Sequence, residues 1–132
     1  MAPGMRNLML DTCGLLWLAS DNTRLSEAAR TRIQESELVF VSAISAWEIS
    51  LKAKRGELQL PLPAMEWFRR SADQHDIVVL PLEAEELAAS VLLPDHHRDP
   101  ADRFIIAQAI KHDLSIVTAD AMFGRYGVET LI

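Results

Sequence analysis

The chain has 132 residues, 49% of them hydrophobic and 24% charged, which excludes a disordered or fibrous chain and fits a globular domain with a sizeable core. No apolar run approaches the ~20 residues of a membrane span, and the N-terminal stretch reaches Asp11 too early to contain a signal-peptide core. Cys13 is the single cysteine, so no intramolecular disulfide is available and a reducing, cytoplasmic setting without membrane contact is expected. The net charge of −6 argues against a broad basic footprint for nucleic acid. That argument fails only if several carboxylates converge on a divalent metal, which neutralises them locally.

The first short apolar run, residues 7–11, ends in Asp11 and predicts a strand. Residues 14–20 predict a helix, with Cys13 a small hydrophobe beneath it. Residues 26–36 predict a second helix with Ser26 as its cap. The β-branched and aromatic run 38–43 predicts a buried strand, and 45–55 a helix stopped by Gly56, with Lys52, Lys54 and Arg55 in its last turn. After a Pro-rich break at 60–63 come a helix (64–75), a strand (77–82) and a helix (83–93). Pro100 suits the first turn of a helix over 100–112. Residues 114–120 form a strand that again ends in an aspartate, and 128–132 a short fifth. Trp17 and Trp47 fall in apolar helical segments and are expected in the core or on a partner surface rather than as base-stacking platforms, with Trp67 partly exposed. Strands separated by helices imply a three-layer α/β/α domain on a mostly parallel sheet of four to five strands. One domain over 1–132 is expected, with residues 1–5 a flexible extension.

In such a sheet, ligands bind beyond the carboxyl ends of the strands. Asp11 and Asp120 end the first and fourth strands there. Glu48, read as lying in the first turn of the helix after the second strand, opens on the same edge. Asp102 starts a helix that runs antiparallel to the fourth strand and so faces that edge as well. Each acid also has a local reading: Glu48 completes a capping box with Ser45, Asp99 caps the helix begun by Pro100, Asp102 favours the helix dipole, and Asp120 is a turn residue. Four independent caps do not predict one shared edge. Carboxylates gathered in one place repel unless a cation lies between them. Mg²⁺ or Mn²⁺, hard ions that take oxygen ligands and phosphates, fit that need and point to metal-dependent phosphodiester hydrolysis. His96 and His97 stand beside the acids and read as loop residues rather than metal ligands. Arg98, Arg103, Lys52, Lys54 and Arg55 are candidate phosphate contacts around the metal centre, the lysines being towards the far end of their helix.

The segments LDTCGLLWLA, SAISAWEISLKAKRGEL, HHRDPADRFIIAQA and IVTADAMFGRYGV, in this order over essentially the whole chain, together resemble the PIN-domain ribonucleases of the VapC toxin type. The resemblance implies a PIN-like fold and Mg²⁺- or Mn²⁺-dependent cleavage of RNA to 3′-hydroxyl and 5′-phosphate ends. By motif position it gives Asp11, Glu48, Asp102 and Asp120 the catalytic and metal-binding quartet. Thr12 and Thr118 become supporting hydroxyls and Asp99 an accessory acid. It further implies a homodimer, a cognate VapB-type antitoxin, and contact with operator DNA only through that antitoxin. The alternatives are a receiver-like module, for which the middle strands lack a phosphoacceptor Asp, and a non-catalytic PIN-fold binding or regulatory module. A haloacid-dehalogenase-type phosphatase needs Asp-x-Asp where the chain has Asp11-Thr12-Cys13.

Overall fold

Strand β1 (Leu8–Leu10) is buried at all three positions, as a central strand covered on both faces must be. This computed structural model describes residues 7–132, so the expected N-terminal extension lies outside the described residues. Around β1 the chain folds α1 (Thr12–Ala19), α2 (Glu27–Glu35), β2 (Val39–Ser42), α3 (Ala43–Lys54), α4 (Ala64–Gln74), β3 (Ile77–Leu80), α5 (Ala84–Val91), α6 (Pro100–His112), β4 (Ser115–Val117), a 3₁₀ helix (Ala121–Tyr126) and β5 (Thr130–Leu131). All four strand pairings are parallel, in the order β3-β2-β1-β4-β5. The expected α/β architecture is therefore present, and the sheet is wholly parallel. The 3₁₀ helix was not anticipated from the sequence. The order also differs from the 2-1-3-4-5 arrangement of receiver-type domains.

Alternating residues feed two cores. Leu8, Leu10, Val39, Val41 and Val117 join Leu15, Ile49 and Phe68 on one face of the sheet. Met9 and Ile116 join Ile105, Ile106 and Phe123 on the other. The two-residue period of a strand sends neighbours to opposite faces, so helices cover both. Across the second layer, α5 lies along α6, and Glu86, 1% exposed, approaches Lys111 (3.6 Å) and His112 (3.9 Å).

The chain moves from β1 to β2 and β3 on one side, then crosses back to place β4 on the other side of β1. The reversal opens a crevice beyond the carboxyl ends of β1 and β4, the place where open α/β sheets bind ligands.

Two helix starts differ from expectation, and both matter for that crevice. Helix α1 begins at Thr12, so Asp11 is its N-cap and accepts from the Gly14 N–H at 2.7 Å. Helix α3 begins at Ala43 with Ser42 as the cap, accepting from Ile44 N–H at 3.2 Å. Ser45 therefore does not cap, the Ser45–Glu48 capping box is absent, and Glu48 lies in the second turn. At the other end of α3, Gly56 takes the left-handed φ of +76° expected of a helix stop.

Candidate active site

Asp11 sits at the floor of the crevice, 6% exposed. Both of its oxygens are held: Oδ1 by the Gly14 N–H, and Oδ2 by the Thr118 hydroxyl at 2.6 Å. Burial pushes its carboxyl up to about 6; the Thr118 and Gly14 hydrogen bonds oppose this, and the charges of Glu48 and Asp120 add to it. Gly14 is required for the close approach that creates this cap. A Cβ there would stand 2.9 Å from the Val117 carbonyl oxygen and 3.2 Å from Asp11 Oδ1.

Glu48 enters from α3. The Thr12 hydroxyl donates to Glu48 Oε1 at 2.6 Å and lies 2.8 Å from the Ser45 hydroxyl. Since Thr12 has one proton and gives it to Glu48, Ser45 donates to Thr12. Burial raises the Glu48 carboxyl, partly countered by the Thr12 bond; Asp99 raises it further and Lys52 lowers it. Both threonines thus steady carboxylates in the crevice, Thr12 on Glu48 and Thr118 on Asp11.

Asp102 projects from the first turn of α6. Its carboxyl is pushed up to about 7, first by burial and then by the charges of Asp99 and Glu48, against a lowering by His97. Asp99 caps α6 through the Ala101 N–H (2.9 Å), as expected. It also faces the acids: Glu48, Asp99 and Asp102 bring carboxylate oxygens within 4.8 Å of one another. Asp120 caps the 3₁₀ helix through the Met122 N–H (2.9 Å). Its own N–H donates to the Thr118 hydroxyl (3.0 Å), which links it to Asp11 through one threonine.

His97 is part of this site, against the reading that set both histidines aside as loop residues. Its Nε2 is 2.8 Å from Asp120 and 3.1 Å from Asp102, and the three donor atoms form a second group within 4.8 Å. Nδ1 accepts from the Asp99 N–H at 3.1 Å, so the ring proton belongs on Nε2, between two carboxylates. The ring rests edge-on against the buried Phe123, centroids 5.7 Å apart. His96 instead packs against Tyr126.

The residue that holds His97 in place is Arg103. Its guanidinium donates to the carbonyls of Pro94, His97, Ser90 and Leu93 at 2.8–3.0 Å. The Tyr126 hydroxyl accepts from the His97 N–H (2.7 Å) and donates to Pro94 (2.8 Å). Arg103, considered above for phosphate contact, thus has its fork filled by backbone oxygens. Lys52 is half-buried at the edge of the crevice and Arg98 is exposed nearby. Cys13 is exposed at the mouth rather than buried beneath α1, because the early start of α1 turns it outward. Trp47 is 57% exposed, which removes it from the core, while Trp17 and Trp67 are partly buried against the α1–α4 layer.

The crevice encloses about 360 Å³ among Asp11, Glu48, Asp102 and Asp120. Its donor chemistry fits a hard divalent cation: Glu48, Asp99 and Asp102 form an all-carboxylate group, Asp102 is shared with a second group completed by Asp120 and His97, and burial first, then mutual repulsion, makes Asp11 and Asp102 hold protons when no cation is present. Asp11 is outside both groups.

The PIN-domain family profile matches residues 8–129. Ribonuclease VapC22 of Mycobacterium tuberculosis (strain ATCC 25618 / H37Rv) is 32% identical over 117 residues, 88% of each chain. Among solved structures, VapBC2 from Rickettsia felis bound to a promoter DNA fragment superposes with a TM-score of 0.71 at 12% identity, covering 95% of this chain and 97% of that one. DNA-bound VapBC from Salmonella typhimurium gives 0.65 at 19% identity, covering 96% and 98%. The chain thus belongs to the PIN-domain family, with the VapC ribonucleases as its kin.

Proposed function

We propose that this protein is a divalent-metal-dependent endoribonuclease that acts as the toxin of a VapBC-type toxin–antitoxin pair. The observation that carries the reading is the convergence of Asp11, Glu48, Asp102 and Asp120, from four separate segments, on the one crevice the sheet topology creates. These four would hold Mg²⁺ or Mn²⁺, with Asp99 at the rim as an accessory. Bound there, the ion supplies Lewis acidity and charge neutralisation at a phosphodiester. The protein does the rest. Thr118 and Gly14 fix the Asp11 carboxylate, Thr12 fixes Glu48, and the Nε2–H of His97 orients Asp102 and Asp120. Held in this way, the carboxylates need little reorganisation when charge develops on the scissile group. Lys52 and Arg98, at the mouth, are placed to meet RNA phosphates, and RNA is read as the substrate.

The partner reading follows the same kinship. A VapB-type antitoxin is proposed to cover the toxin and to supply all contact with operator DNA, in keeping with the protein–DNA assemblies of the structural neighbours. A homodimer is proposed through helices; Val91 and Leu92 at the end of α5, 75% and 85% exposed, support an apolar contact there.

The test is direct. Purified protein is incubated with total RNA in Mn²⁺ or Mg²⁺, with and without chelator, and new 5′ ends are sequenced. Cleavage at defined sites, abolished by chelation and leaving 5′-phosphates, is expected. Cleavage that persists in excess chelator, or none with either ion, overturns the reading.

A further inference from the structure

A second groove runs alongside the acidic crevice. It encloses about 460 Å³ and shares Glu48, Lys52 and Asp99 with it, so the two are continuous. One wall is the outer face of α3, where Trp47, Leu51 and Arg55 recur at four-residue spacing with Lys52 beside them. The opposite wall is the start of α6, with Arg98 and Pro100. Three cations, Lys52, Arg55 and Arg98, therefore share this open groove with three acids, Glu48, Glu57 and Asp99, on a protein whose net charge is −6. Among the described residues, none of Lys52, Arg55 and Arg98 is in an ion pair. Beyond the rim carboxylates shared with the crevice, Glu57 is the one acid in the groove. Trp47, an indole 57% exposed and adjacent in sequence to Glu48, lines this groove, while Trp17 lines the crevice.

We propose that this groove is the track for single-stranded RNA leading to the cleavage site, with Trp47 stacking a base beside the scissile phosphate and Lys52, Arg55 and Arg98 holding backbone phosphates. The proposal rests on the ribonuclease reading above and names the surface that presents the substrate. A charged groove with an aromatic platform is the usual way to hold an unpaired strand, because every base offers a π-face and every nucleotide a phosphate. What favours an RNA strand as the occupant is continuity with the acidic crevice: Glu48, Lys52 and Asp99 line both spaces, and the cations of the groove have no carboxylate partner among the described residues. From Glu48 to Arg55 the helix advances about 10 Å, enough for a backbone to meet the cations in succession.

The experiment uses a fluorogenic oligouridylate and has three arms. Wild-type cleavage in Mn²⁺ tests the ribonuclease reading itself. Trp47→Ala is expected to raise KM roughly 5- to 100-fold with kcat nearly unchanged, as loss of uniform binding does. Trp47→Phe should restore most of the affinity, Arg55→Glu should raise KM too, and none should lower the melting temperature. In the third arm, Trp17→Phe and Trp67→Phe leave Trp47 as the one indole, and an unlabelled oligouridylate in chelator should quench its emission. Unchanged KM in an active enzyme, or no quenching, overturns the proposal. So does a Trp47→Ala variant that cleaves normally but loses antitoxin binding, since the groove would then belong to a protein partner. If the wild type cleaves neither the oligouridylate nor total RNA, the ribonuclease reading fails, and the quenching arm still decides the groove.

Discussion

Asp11, Glu48 and Asp102 all hold protons more tightly than ordinary carboxyls, and burial is the largest cause at each. The sign of the effect on stability follows. For Asp11 and Asp102 the folded values of about 6 and about 7 lie above the ordinary 3.8. The folded state therefore binds more protons than the unfolded state across that interval. Their stabilising contribution is full below the ordinary value and is lost as pH rises through 6 to 7. Metal-free protein should melt at a higher temperature at pH 5 than at pH 8, as followed by circular dichroism, and Mg²⁺ should narrow the difference by neutralising the cluster. Asp102→Asn removes one repelling charge. At pH 8 without metal it should raise the melting temperature by a few degrees, roughly 1 kcal/mol, while abolishing cleavage. A lowered melting temperature would show that Asp102 stabilises the fold instead. Asp11, Asp102 and Asp120 were legible because each follows a strand or starts a helix, positions that a parallel sheet sends to one edge, and Glu48 reaches the same edge from the second turn of α3. His97 was not legible, because its place depends on a loop whose path is set by Arg103 and Tyr126 from distant parts of the chain.

At the scale of elements, two supports position the site without belonging to it chemically. Gly14 lets α1 begin against β4 so that its first turn caps with Asp11. Gly14→Ala should cost about 1–3 kcal/mol in urea denaturation and lower the cleavage rate, because the Cβ meets backbone that cannot yield. Arg103 ties the connection between α5 and α6 through four carbonyls. Arg103→Lys should not restore it, since an ammonium cannot reproduce the planar fork. Faster amide exchange at residues 94–98 together with reduced cleavage would be its mark; wild-type exchange would show the loop to be held by Tyr126 alone. The helices and strands themselves were largely readable from periodicity and caps. The start of α3 was misread because Ser42 and Ser45 are both plausible caps. Only the tertiary bond from Thr12 to Glu48, with Ser45 behind it, shows that Ser45 faces inward. The 3₁₀ helix after Asp120 has too short a period to stand out in a chain rich in α-helical spacing.

At the scale of the whole molecule, the acidic net charge and the proposed RNA substrate are reconciled by geography. Five of the 19 acids, Asp11, Glu48, Asp99, Asp102 and Asp120, gather at the switch point between β1 and β4, where a cation can neutralise them, while Lys52, Arg55 and Arg98 lie on the flank along which a strand would approach. Among the described residues no helix is long and apolar enough to cross a membrane, and the exposed apolar end of α5 is where the proposed homodimer contact lies. The strand order puts β1 at the centre, so the most buried strand delivers Asp11 and any displacement of the sheet is transmitted to the site. The measurement closest to the central claim compares RNA cleavage at fixed Mn²⁺ by wild type and by Asp11→Asn, Glu48→Gln, Asp102→Asn and Asp120→Asn, each first shown to be folded. A quartet acting as one metal site predicts that every variant loses roughly a hundredfold or more in rate, since the ion is worth several kcal/mol of transition-state stabilisation. A folded variant that cleaves at the wild-type rate would contradict it.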